Sequence, residues 1–166
     1  SVMSLESGVI SLRTVLKGDS VGYASNWTAE RDSTIATITV GYGDGYPRQA
    51  PNGTPVLING VRCPLAGRVS MDMITVDVTD LETVHIGDRV VLWGQDLPLN
   101  EVAKLCGTIG YELMTRMPAR VPRMYSDGGS EMLTRLPAGP QQYAVTSETS
   151  VEGIYNKDES NIEQYF

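Results

Sequence analysis

A chain of 166 residues is long enough to bury one hydrophobic core, and 41% apolar with 20% charged residues is the make-up of an ordinary globular protein. Thirteen basic against 20 acidic side chains leave a net charge of -7, which argues against nucleic acid or an anionic membrane as partner, because both demand a basic surface. No apolar run approaches the roughly 18 residues of a membrane span, and the opening Ser-Val-Met-Ser-Leu-Glu lacks the basic segment of a signal peptide.

In chain order, Val9 to Val15 is rich in β-formers, and Lys17-Gly18-Asp19 turns into a second strand from Val21 to Trp27. The opening is already strand-like, without an initiator, as expected of a piece of a longer protein. Thr34 to Val40 alternates, with Ala36, Ile38 and Val40 on one face and Thr37 and Thr39 on the other, the mark of a half-buried strand. Gly41 to Gly53 holds too much Gly, Asp and Pro to be other than a loop. Asn59-Gly60, flanked by Val56-Leu57-Ile58 and Val61, predicts a tight hairpin. Val69 to Val78 alternates again, with Ile74, Val76 and Val78 facing the core, and Arg89 to Trp93 follows the turn at His85 to Asp88.

Helical signals come late. Asn100 is placed to cap a helix over Glu101 to Cys106 that stops at Gly107, and Thr108 starts a second, through Tyr111, Leu113 and Met114, ended by Pro118. Val121 to Tyr125 reads as a last strand. From Ser126 to Phe166 sparse apolar residues among Ser, Thr, Glu and Asn predict a loosely held extension. The expected fold is therefore a mainly β domain over 1–125, an antiparallel barrel or Greek-key-like sheet with two short helices. Cys63 and Cys106 stand apart and read as reduced packing residues of a cytoplasmic protein. The single histidine, His85, leaves little scope for a metal centre or a His-assisted nucleophile.

Four segments carry chemical information: Val21-Gly22-Tyr23 leading to Trp27, Gly41-Tyr42-Gly43-Asp44-Gly45-Tyr46-Pro47-Arg48, Gly67-Arg68-Val69-Ser70-Met71-Asp72-Met73, and Arg120-Val121-Pro122-Arg123. In this order and spacing they resemble the C-terminal domain of bacterial alanine racemase, over about Val2 to Tyr125. The resemblance implies a cytoplasmic isomerase that supplies D-alanine as a peptidoglycan precursor. In that family an N-terminal α/β barrel holds pyridoxal 5'-phosphate covalently on a lysine. Two chains pair as a homodimer, so that each β-domain completes the active site in its partner's barrel, where the small amino-acid substrate binds. None of Lys17, Lys104 and Lys157 sits in a setting like that of the cofactor lysine, so the chain alone is expected to be inactive.

Carried over residue by residue, the resemblance makes Tyr23 the catalytic base on one face of the substrate, and gives the Met71 backbone N–H to the substrate carboxylate. Tyr42, Arg48 and Arg68 line the access corridor. From the residues alone, Tyr23 reads as a strand aromatic beside Trp27 and Met71 as an alternating strand residue, and solvated surface charges are the alternative for the arginines. Asp44 and Asp72 are candidates to pair with these arginines and fix the loops, Asp44 also as a turn residue satisfying loop N–H groups. Some members of the family place a tyrosine that reaches the cofactor phosphate just before Arg-Val-Pro-Arg. Here Ala119 stands there, which opens room for a broader, serine-tolerant racemase. A catalytically empty β-barrel that binds a small ligand or a protein remains the alternative from another class.

Overall fold

The computed structural model describes residues 3–125 and 144–146. Its hub is strand β1 (Ser4–Val15), longer at its start than the sequence pattern indicated. The second half of β1 pairs antiparallel with β4 (Ser33–Ile38), and β4 with β7 (Ile74–Asp77). The first half of β1 pairs with β8 (Arg89–Trp93), which takes the hairpin of β5 (Pro55–Ile58) and β6 (Val61–Pro64) on its other side. A bridge between Leu65 and Val76, with the Ala66 N–H donating to Thr75 O at 2.9 Å, joins the end of the hairpin to β7. The antiparallel sheet is thereby nearly closed, the β-domain with two short helices that the sequence predicts.

The hairpin turns as its sequence requires. Asn59 (φ 51°) and Gly60 (φ 78°) both take positive φ, the pair of conformations that a two-residue type I′ turn needs. Alternation buries Ile38, Val56, Ile58, Ile74, Val76 and Leu92 in one core, each 1% exposed or less. On β4 and the residue after it, however, the second face is covered too. Ile35 packs in a smaller cluster with Val15, Val21, Ala29 and Ala66, and buried Thr39 is hydrogen-bonded to the Ser7 hydroxyl.

Two expected strands are interrupted. Val21 to Trp27 splits into β2 (Ser20–Val21) and β3 (Trp27–Thr28), with a single 3-10 turn, Tyr23–Ser25, between them. Val69 to Met73 is a turn, not the start of β7, because the Ser70 hydroxyl both donates to Met73 O (2.8 Å) and accepts from Met73 N–H (3.1 Å). Helix α1 (Leu99–Leu105) begins after Pro98, whose fixed φ suits the helix entrance, so Asn100 lies inside it and does not cap it. Gly107 (φ 71°) does stop it. Helix α2 (Gly110–Thr115) starts two residues beyond Thr108 and ends at Thr115, with Arg116 as its C-cap. The last expected strand shrinks to β9 (Arg123–Met124), which runs parallel to β10 (Ala144–Thr146), itself antiparallel to the start of β1. Apart from β10, the extension expected from Ser126 onward lies outside the described residues.

Candidate functional site

Backbone packing, more than side-chain contact, gathers the four marked segments. Gly22 (φ 84°) bends the chain out of β2, and it lies so close to the Gly67–Arg68 peptide that a Cβ there would sit 3.1 Å from Arg68 N and Gly67 Cα. Ala24 (φ 61°) and Ser25 (φ 51°) follow, both in the left-handed region that costs a side-chain-bearing residue energy. Tyr23 is thus carried on a bent, strained turn docked against the segment that contains Arg68. A strand reading of Tyr23 does not survive this geometry.

The 67–73 segment touches the Gly41–Arg48 loop just as closely. Tyr42 N–H donates to Ser70 O at 3.0 Å, and Gly43 N–H donates to Met71 O at 2.9 Å. A Cβ on Gly41 would fall 2.3 Å from both carbonyl oxygens, so only glycine permits this approach. The two hydrogen bonds also settle where the Met71 amide points. The peptide between Ser70 and Met71 is planar and trans, so capture of its carbonyl by Tyr42 directs the Met71 N–H the opposite way. That N–H has no backbone acceptor among the described residues, and Met71 is 51% exposed.

Asp44 sits beneath the loop, 1% exposed, with Oδ2 accepting the Gly41 N–H at 2.9 Å. Its ion-pair partner is Arg120, at 2.7 Å from Oδ1, and the same Arg120 Nη2 reaches Asp72 at 3.1 Å. Neither Arg48 nor Arg68 plays this part. The guanidinium of Arg120 lies over Gly43, where a Cβ would meet Nη2 at 2.4 Å, whereas Arg48 turns onto the Tyr42 ring, 5.8 Å from its centroid. Sequence reasoning therefore missed Arg120 as the residue that ties the loops. Its signal lay in Arg-Val-Pro-Arg, the segment with least information of its own.

Three groups then face solvent at this end of the sheet: Tyr42, 44% exposed, and the exposed side chains of Arg48 and Arg68. Among the described residues neither of these arginines has a carboxylate partner, so their charge is available to an anion. The loop's other tyrosine, Tyr46, is excluded from proton exchange. It is buried, stacked on Trp93 with centroids 6.1 Å apart, and burial drives its phenol well above the usual range. Of the lysines, Lys17 and Lys104 make no hydrogen bond or ion pair with these groups, and Lys157 lies outside the described residues. The donor set suits a small carboxylate-bearing molecule.

Residues 2–125 match the family described as alanine racemase, C-terminal domain. An alanine racemase of Vibrio vulnificus strain CMCP6 is 56% identical over 126 residues, covering 76% of this chain and 35% of that protein. The crystal structure of biosynthetic alanine racemase from Pseudomonas aeruginosa is similar with a TM-score of 0.74 at 57% identity, covering 75% of this chain and 35% of the other. Alanine racemase from Bartonella henselae, solved with covalently bound pyridoxal phosphate, gives 0.71 at 40% identity, covering 74% and 34%. The chain spans about a third of the length of these relatives.

Proposed function

The chain belongs to the family of alanine racemase C-terminal domains, and from that membership we propose that it is the part of an alanine racemase that presents a proton-transferring tyrosine and a carboxylate-binding face to a cofactor-bearing barrel domain. One observation supports the proposal: the segments bearing Tyr23, Met71 and the two arginines, which have no carboxylate partner among the described residues, are held against one another by the same set of loop contacts.

Inverting an α-carbon requires a proton removed from one face and another delivered to the opposite face. Pyridoxal phosphate, held by the barrel, supplies the electron sink that makes the α-proton acidic enough to move. The residues of this chain supply the rest. Arg48 and Arg68, at the mouth with Tyr42, draw in the carboxylate of an amino acid. The Met71 N–H donates a hydrogen bond to that carboxylate and fixes which face of the α-carbon is turned toward Tyr23. The Tyr23 phenol then takes or returns the proton at its oxygen. An ordinary phenol has a pKa of about 10, so positive charge around it in the assembled site is needed to make it effective at neutral pH. Two chains paired as a homodimer give each β-domain its neighbour's barrel to complete, and the buried, unbridged Cys63 and Cys106 suit the cytoplasm.

The test compares the protein with its barrel domain attached against residues 1–166 alone, both given pyridoxal phosphate. The attached form should racemise L-alanine, and the chain alone should neither racemise it nor develop a borohydride-sensitive cofactor band. Turnover by the chain alone, or its lack in the attached form, would overturn the proposal.

A further inference from the structure

Arg120 has no place in the proton transfer, yet it is the point where three of the four marked segments meet. One Nη2 atom holds Asp44 at 2.7 Å and Asp72 at 3.1 Å, and the guanidinium plane rests in the space that Gly43 leaves by lacking a side chain. Asp44 is buried and braces the Gly41 N–H. Asp72 directly follows Met71 on the exposed turn. The turn that carries the Met71 amide is therefore pinned on both sides, its carbonyls by the amides of Tyr42 and Gly43 and its next residue by Arg120.

We infer that Arg120 is a positioning residue for substrate binding: it sets the aim of the Met71 N–H by tying Asp72 to buried Asp44. The inference rests on the functional reading above. The guanidinium's fixed planar fork lets it reach both carboxylates at once, which a single ammonium does less well. Because the amide meets the substrate carboxylate before and during proton transfer alike, losing its aim weakens both states together. The signature is a raised KM with kcat largely kept.

The experiment uses the full-length enzyme, with Arg120→Gln, Arg120→Lys and Asp72→Asn. Arg120→Gln should raise KM for alanine about ten-fold, and raise the inhibition constant of acetate, a bare carboxylate, in proportion, while kcat falls much less. Arg120→Lys should recover part of the loss. Asp72→Asn leaves the Asp44 tie in place, so it should fold even if Arg120→Gln does not, and should raise both constants several-fold without moving the melting temperature. Unchanged KM and acetate inhibition in Asp72→Asn, or a loss confined to kcat, would overturn the assignment. A wild-type enzyme that does not racemise alanine would instead remove the reading beneath it.

Discussion

Gly41→Ala is the smallest change that attacks the site through its backbone. Gly41 has φ -147°, extended backbone that alanine adopts without strain, so the whole effect comes from the added methyl. That methyl would lie 2.3 Å from the carbonyl oxygens of Ser70 and Met71, and the turn must retreat by about 0.7 Å to reach the 3.0 Å minimum of real contacts. The hydrogen bonds from Tyr42 and Gly43 to those same oxygens, at 3.0 and 2.9 Å, stretch with it. Two weakened backbone bonds at roughly 0.5–1.5 kcal/mol each, with about 1–3 kcal/mol for overpacking, sum to about 2–6 kcal/mol. For a chain of this size that is a drop of roughly 4–24 °C in Tm. In the full-length enzyme a displacement approaching 1 Å in a positioning group costs on the order of 10²-fold in kcat/KM. Gly53→Ala is the control, since its Cβ meets nothing within 4 Å and only its φ of 89° is strained; it should cost about 1 kcal/mol and leave turnover intact. If Gly41→Ala melts and turns over like the wild type, the two loops do not support each other as described.

Two further outcomes follow from other parts of the molecule. Ala119 is exposed and directly precedes Arg120 in the chain. Placing tyrosine there should tighten cofactor binding by about 0.5–1.5 kcal/mol and raise the ratio of kcat/KM for alanine over serine; an unchanged ratio would show that position 119 does not face the substrate. Burial pushes the thiols of Cys63 and Cys106 up to about 11 from an ordinary 9.0. The folded form then keeps protons that the unfolded chain has lost, so stability from these groups is complete below pH 9 and falls between pH 9 and 11. Replacing both cysteines with alanine should flatten that part of the stability profile, and an equally steep decline in the double variant would remove them as its cause.

The β-architecture was legible because its signals are local. Asn59-Gly60 forces its turn whatever surrounds it, and Ile74, Val76 and Val78 alternate because one face of β7 is buried. The bends at Gly22–Ser25 and Val69–Met73 were not legible. Their alternation of apolar and polar residues is that of a strand, and the chain turns there because Gly22 seats on Gly67 and the Ser70 hydroxyl closes on Met73. Asn100 has the chemistry of a cap, but Pro98 sets the helix entrance earlier. Of the site, the motif set pointed to Tyr23, Tyr42, Arg48, Arg68 and Met71, and the structure gathers their segments at one end. Arg120 escaped notice because its partners lie 48 residues away and further in sequence, where no spacing rule reaches.

If this domain supplies the base for one face of the substrate, as proposed, that base is Tyr23. The most direct measurement is α-proton exchange with solvent deuterium, followed separately from L-alanine and from D-alanine, in the full-length enzyme and its Tyr23→Phe variant. Loss of one general base costs about 10²–10⁴ in rate. A slowing of that order is expected for one enantiomer, with exchange from the other largely preserved and the cofactor still bound. Equally fast exchange from both enantiomers in Tyr23→Phe would contradict it.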